Sequence, residues 1–194
     1  MGAVDRHIVF LGPPNSGKGT QAVSLAEDLG IPAISTGEML REAVAKGTEL
    51  GQRVEGIMNS GKLVDDALMA EVVRDRLDQD DTAQGFLLDG YPRTASQAET
   101  LAQIASEKGT AVGHVVLIDA PEEVLVARAR GRQQAEGRED DRDDVVRERL
   151  REYQSKTAPL VEFYEGHGLL RRIDGDQTIE AVGKAIRSAI GYEG

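Results

Sequence analysis

A lysine and two hydroxyls stand inside a glycine-rich run, Gly12-Pro13-Pro14-Asn15-Ser16-Gly17-Lys18-Gly19-Thr20. The pattern G-x-x-x-x-G-K is complete, and Thr20 falls two residues after Lys18 instead of one. Residues of these types suit the chemistry of holding polyphosphate. Backbone N–H groups of the loop and the first helical turn lack internal partners, and the helix dipole adds positive potential there. Gly17 and Gly19 let backbone approach phosphate oxygens without a Cβ in the way. Lys18 adds a compact cation for the outer phosphates. Asn15 stands where such loops often carry glycine, and asparagine is among the few residues that tolerate a left-handed backbone. The motif needs a strand before it and a helix after it. Ile8–Leu11 is an apolar run, and Ala22, Leu25, Ala26 and Leu29 fall at helical spacing, so both are expected.

Further along, Phe86-Leu87-Leu88-Asp89 is an apolar strand ending in an acid, the kind of carboxylate that holds magnesium beside a phosphate loop, often through water. His114–Asp119 has the same form, so Asp119 competes for the role. Asp89 is preferred because Gly90-Tyr91-Pro92-Arg93 brings an arginine to the same strand end. The alternative for Asp119 is a strand-end residue bonding loop backbone. Ser35-Thr36-Gly37-Glu38 reads as a capped helix start with Arg41 one turn in. Arg128, Arg132, Arg138 and Arg149 lie in or beside the most polar stretch, among Asp140, Asp141, Asp143 and Asp144. Charge pattern alone leaves two readings of these arginines. One is a solvated, salt-bridged surface. The other is a set that closes over transferring phosphates.

The elements that must position these groups alternate strand and helix. Strands are expected at His7–Leu11, Pro32–Ser35, Gly85–Asp89, His114–Asp119 and Leu169–Ile173. Helices are expected at Lys18–Leu29, Gly37–Lys46, Glu49–Ser60, Asp65–Leu77, Ala95–Lys108, Pro121–Gly131, Asp143–Glu165 and Ile179–Ile190. Pro159 should kink or break the seventh of these. The alternation implies right-handed crossovers and an α/β fold with a parallel sheet covered on both faces. Two segments interrupt it. About three helices, Gly37–Leu77, separate the second and third strands. Gly131–Asp144 separates helical patterns and carries no aliphatic side chain larger than Ala135 from Arg132 onward, so it has little to dock with and should be mobile. Both should emerge at the carboxyl ends of strands, where ligands bind in such sheets.

At 194 residues the chain suits one domain, 1–194. Net charge is −11, which disfavours a nucleic-acid partner and leaves phosphate binding to local positive charge. Arginines outnumber lysines, which suits bidentate phosphate contacts, although genomic composition bias explains the ratio equally well. No apolar run approaches membrane-spanning length, so no membrane partner is expected. Met1–Asp5 lacks the features of a leader. Cysteine is absent, which excludes disulfides and thiolate metal sites and fits the cytoplasm. His7, His114 and His167 lie away from the motifs.

Five blocks together identify a resemblance. They are GPPNSGKGTQ at 12–21, ISTGEMLR at 34–41, GKLVDD at 61–66, GFLLDGYPRTASQA at 85–98 and GREDDRDDVVRERL at 137–150. In this order and spacing, nearly end to end, the chain resembles the adenylate kinases of the nucleoside monophosphate kinase family. The resemblance implies a three-layer P-loop NTPase fold with a five-stranded parallel sheet. It implies phosphoryl transfer from MgATP to AMP giving two ADP, in a cytoplasmic enzyme expected to be a monomer. Within one domain, 35–64 would be the AMP-binding insertion and 131–141 a short mobile cover of the zinc-free form.

Roles follow by resemblance. Gly12, Asn15, Ser16, Gly17, Lys18, Gly19 and Thr20 would bind the ATP phosphates, with Lys18 following the transferred group. Thr36, Arg41, Lys62, Leu63, Val64, Gly90, Tyr91, Pro92, Arg93 and Gln97 would form the AMP site, where Arg41 and Arg93 grip the phosphate. Gln97 and the 62–64 backbone would meet the adenine. Arg132, Arg138 and Arg149 would embrace the phosphates, with Arg128 near the ATP adenine and backbone at Gly175–Gln177 completing that pocket. Magnesium would be held through water near Thr20 and Asp89. Asn15 departs from the family's glycine and Glu38 from its aspartate. Rival readings are a UMP/CMP kinase of the same fold, a nucleotide-hydrolysing switch and a non-catalytic nucleotide-binding subunit. Thr36 and Gln97 match the family's AMP-site pattern, and a guanine-reading N-K-x-D is missing from the chain.

Overall fold

The computed structural model describes residues 5–192. Met1–Val4, most of the stretch read above as lacking leader features, lie outside the described residues. Five strands, β1 (His7–Leu11), β2 (Ala33–Ser35), β3 (Phe86–Asp89), β4 (His114–Asp119) and β5 (Leu170–Asp174), form one sheet in the order β2-β3-β1-β4-β5. Every pairing is parallel. All five carboxyl ends therefore lie along one edge. The chain order reverses direction at β1, flanked by β3 and β4, and that switch point is where open parallel sheets bind ligands.

Alternation along the strands explains why the sheet is covered on both sides. Val9, Leu11, Leu88, Val115 and Leu117 face one apolar cluster. Ile8, Phe10, Leu87, Val116 and Ile118 face the other. The first cluster takes Val73 and Leu77 of α4 (Asp66–Leu77), Leu101 and Ile104 of α5 (Ala95–Glu107) and Leu160 of α8 (Pro159–Gly166). The second takes Leu25 and Leu29 of α1 (Lys18–Leu29) and Val182 and Ile186 of α9 (Ile179–Ala189). Central strands buried on both faces read as near-continuous apolar runs, as they do here.

Between β2 and β3 the chain runs through α2 (Thr36–Ala45), α3 (Glu49–Asn59) and α4. Ser35, Thr48 and Asp65 cap these helices with side-chain oxygens. The sixth helix, expected to end at Gly131, is α6 (Glu122–Glu136) and runs five residues into the polar stretch. A 3₁₀ turn at Glu139–Asp141 then leads to α7 (Asp143–Glu152). The stretch docks through charge instead of apolar burial, which apolar periodicity could not register. Of the two outcomes expected at Pro159, a kink or a break, the structure has the break: α7 ends at Glu152, a π turn spans Tyr153–Thr157, and Pro159 opens α8 at its first turn, where the missing N–H costs nothing. Leu125 and Ala129 of α6 pack on Val146 and Leu150 of α7, so the helices bracketing the charged stretch share a small apolar core.

Candidate active site

The turn after β1 is shaped by backbone conformations that few residues allow. Gly12 has φ 144°, and a Cβ there would collide with the Ile118 carbonyl oxygen of β4. Asn15 is left-handed at φ 67° and Gly17 at φ 95°. Gly17 is also the cap residue of α1 and has no side chain to bond the first turn. The N–H groups that Ser35, Thr48 and Asp65 satisfy in their own helices thus stay free in α1, next to the dipole's positive end. Lys18 folds back over the loop and donates from Nζ to the carbonyls of Gly12 (2.9 Å) and Pro13 (2.7 Å). Ser16 is buried and offers its hydroxyl to the same ammonium at 3.4 Å. Burial pulls the Lys18 ammonium down from its ordinary 10.5 to about 8; Asp89 opposes this, and Arg93, Arg149 and Arg132 add to it.

Asp89 ends β3 against this loop: a Cβ on Gly19 would sit 3.7 Å from its Oδ2. Its carboxylate and the Thr20 hydroxyl line one cleft with the loop. A hard oxygen pair at the phosphate end of that cleft suits magnesium held mainly by water. Asp119 behaves otherwise. It is exposed, and its Oδ1 accepts from its neighbour Ala120 N at 2.9 Å, the strand-end alternative anticipated above. Among the described residues no three carboxylate or imidazole side chains gather closely enough to hold a metal ion.

A second cleft of about 590 Å³ opens beside the first. Thr36, Arg41, Lys62, Leu63, Val64, Gly90, Arg93 and Gln97 line it, together with Met58 and Met69. Gly90 has φ 88°, and a Cβ there would come within 2.7 Å of Thr36 Oγ1. Arg93 is aimed by its own turn, donating from Nε to Gly90 O at 2.8 Å. The buried Gln97 amide is already engaged: Oε1 accepts from Arg93 N (2.7 Å) and Nε2 donates to Asp66 Oδ1 (2.8 Å). Thr94 Oγ1 donates to the other oxygen of Asp66 at 2.8 Å. Tyr91 is turned away, fully buried in the core, and Pro92 lines the loop-side cleft.

Arg41, Arg93 and Arg149 line both clefts. Burial lowers the pKa of all three, and neighbouring arginines add to the effect. Two carboxylates in the 3₁₀ turn take up part of this charge. Asp141 is fully buried and accepts from Arg132 Nε (2.5 Å) and Nη2 (2.7 Å), and from Arg149 Nη1 (3.2 Å). Asp140 pairs with Arg149 (3.2 Å) and more loosely with Arg41 (3.6 Å). Arg138 lines the loop-side cleft and pairs with Glu136 at 2.6 Å. Arg128 stands farther back, donating to Gly175 O (2.8 Å) and Ser16 O (3.4 Å), and so bridges the loop to the end of β5.

Sequence reasoning treated Asp140 and Asp141 as part of an undecided charge cluster and passed over Asp66 and Thr94. The signal for Asp141 was faint: it stands nine residues after Arg132 and eight before Arg149, a separation that only the turn between α6 and α7 closes. For Asp66 and Thr94 there was none, because their partner helices are joined only by the fold.

A phosphate loop on a parallel sheet, a strand-end carboxylate and arginines shared by two clefts define a nucleotide-dependent phosphotransferase of the phosphate-loop class. A family model described as adenylate kinase matches residues 10–169. The chain is 48% identical to an adenylate kinase of Thermus thermophilus, over 97% of this chain and 98% of that one. It is 47% identical to adenylate kinases of Kosmotoga olearia, over 93% and 96% of the two chains, and of Xylella fastidiosa, over 95% and 98%. The chain belongs to the adenylate kinase family. Nothing in these matches supports a UMP/CMP kinase.

Proposed function

We propose that the loop-side cleft takes ATP, that the smaller cleft beneath α2 and α3 takes AMP, and that their phosphates meet at Arg41, Arg93 and Arg149. The chain is a nucleoside monophosphate kinase, and the reaction is ATP + AMP ⇌ 2 ADP. The observation that carries the two-site reading is the sharing of those three arginines by both clefts.

Phosphoryl transfer through a loose transition state asks little covalent chemistry of the protein and much positioning and charge neutralisation. The free N–H groups of α1 and the loop hold the outer phosphates of ATP. Lys18 exchanges the Gly12 and Pro13 carbonyls for phosphate oxygens, whose negative charge favours its ammonium form. Arg93 and Arg41 hold the AMP phosphate, while Arg132, Arg138 and Arg149 spread charge over the transferring group. Asp140 and Asp141 yield part of their hold on the arginines as phosphates arrive. Magnesium, which adenylate kinases use with ATP, would be held through water by Asp89 and Thr20 and would neutralise phosphate charge. Gln97, tied to Asp66 and to the Arg93 backbone, sets one wall of the AMP pocket.

Segments 37–60 and 131–141 close over the nucleotides, excluding water that would otherwise accept the phosphoryl group. Both segments stand at the carboxyl edge of the sheet, which supports this. Superimposable free and bisubstrate-bound structures would rule closure out. The test of the reaction is coupled detection of ADP from ATP plus AMP, compared with CMP, UMP and GMP as acceptors. Phosphate release from ATP alone, with no gain on adding AMP, would overturn it.

A further inference from the structure

Asn15 does two things in the loop that glycine could not. Its Oδ1 accepts from Arg132 Nη2 at 2.6 Å, across 117 residues of sequence. Its Nδ2 is buried and has no hydrogen-bond partner among the described residues. The amide orientation is not arbitrary, because a guanidinium offers only donors and must therefore meet the oxygen. The nitrogen is the end left over, on a residue that lines the same cleft as Gly17, Lys18, Gly19 and Thr20. A buried amide donor without an acceptor is costly. In this cleft the acceptor that can arrive is a phosphate oxygen.

We propose that Asn15 positions Arg132 over the phosphate loop and lends its free Nδ2 to the terminal phosphate of the bound ATP. The inference rests on the two-site reading above and gives the side chain of Asn15, a loop residue already placed at the ATP phosphates, a task of its own. Arg132 has two tethers on different elements: Asp141 grips Nε and Nη2 from the 3₁₀ turn, and Asn15 grips Nη2 from the loop. The guanidinium is thereby fixed relative to the phosphates as well as to the cover. The side chain costs the loop little, since asparagine tolerates the left-handed conformation that position 15 adopts. A glycine would keep that backbone and lose both contacts.

The experiment is steady-state kinetics, with each nucleotide varied in turn, on the wild type, Asn15→Gly, Asn15→Asp, Arg132→Ala and the Asn15→Gly/Arg132→Ala double variant. Asn15→Gly is expected to keep the melting temperature and KM for AMP while lowering kcat/KM for ATP about tenfold, the scale of one hydrogen bond to a charged group. Its cost should shrink at least about threefold once Arg132 is alanine, because coupled residues do not add. Asn15→Asp retains an acceptor for Arg132 and removes the donor, so it should be at least as impaired as glycine. Asn15→Gly within twofold of wild type, or losses that multiply without coupling, would overturn the inference. Asn15→Asp matching wild type would overturn the role of Nδ2. All three outcomes presuppose an active wild type; an inactive one would instead refute the reaction itself.

Discussion

Asp141 carries no phosphate and touches no nucleotide in the proposed reaction, yet its removal should be felt in both stability and binding. It is fully buried and accepts from Arg132 at 2.5 and 2.7 Å and from Arg149 at 3.2 Å. Asp141→Ala leaves two guanidiniums facing each other, with Arg149 held only by Asp140 and Arg132 only by Asn15. Breaking a buried pair from one side costs about 3–5 kcal/mol; the partners here keep 30% and 19% of their side-chain surface exposed, so about 2–3 kcal/mol is the expected loss. For a chain of this length that is about 5–10 °C in melting temperature. Thermal unfolding by circular dichroism reads it directly, with Asp141→Asn as the milder control that keeps shape and one acceptor. A second measurement separates electrostatics from packing. A saturating bisubstrate analogue with magnesium brings phosphate charge to the same arginines and should narrow the gap between variant and wild type. A shift below about 2 °C, or a gap unchanged by ligand, would refute the account of Asp141 as counter-charge to the phosphate arginines.

Arg93→Ala should cut kcat/KM by about 10²–10³, the scale of losing one preorganised donor to developing charge, and a loss under about threefold would remove Arg93 from the phosphate site. Lys18 gives a pH dependence with a defined sign. Its folded pKa of about 8 lies below the ordinary 10.5, so burial of its charge weighs against the folded state below pH 8, and that penalty fades as pH rises toward 10.5. ATP needs the ammonium, so MgATP binding at pH 9 should take up protons, measured by calorimetry in buffers of different ionisation heat; zero uptake would contradict it. Gly12→Ala should abolish ATP binding, measured by fluorescent-nucleotide displacement, because a Cβ at φ 144° meets the Ile118 carbonyl. Undiminished affinity would show that the loop can shift away from β4.

What was legible in the sequence, and what was not, follows from how each feature is encoded. β1 and α1 were readable to the residue because an apolar run, a glycine loop and a helical stripe lie consecutively and each has its own period. The parallel sheet followed from strand–helix alternation. Leu170–Asp174 was expected one residue early, since Leu169 extends the apolar run and bonds β4 only through its carbonyl, which accepts from Val115 N. The end of α6 and the docking of the charged stretch were not legible, for a physical reason. Apolar periodicity reports docking by hydrophobic burial, whereas Arg132, Asp141 and Arg149 dock by ion pairs. Between α6 and α7 the structure puts a carboxylate with zero exposure inside a run with no large aliphatic side chain.

The mixed charge that looked undecidable in the sequence is what a phosphate site needs before its phosphates arrive. Arginines gathered without anions repel one another, and burial lowers the pKa of Arg41, Arg93 and Arg149. A fold that kept them bare would lose stability, while one that neutralised them permanently would bind nucleotide weakly. Asp140 and Asp141 meet both demands because they sit on a short turn joined to Arg132 and Arg149 by less than ten residues on either side. They hold the arginines in the free enzyme, and under the proposed function they would release them as phosphate competes. On that proposal the two readings of the charge cluster, salt-bridged surface and phosphate clamp, would describe the same residues before and after nucleotide binds.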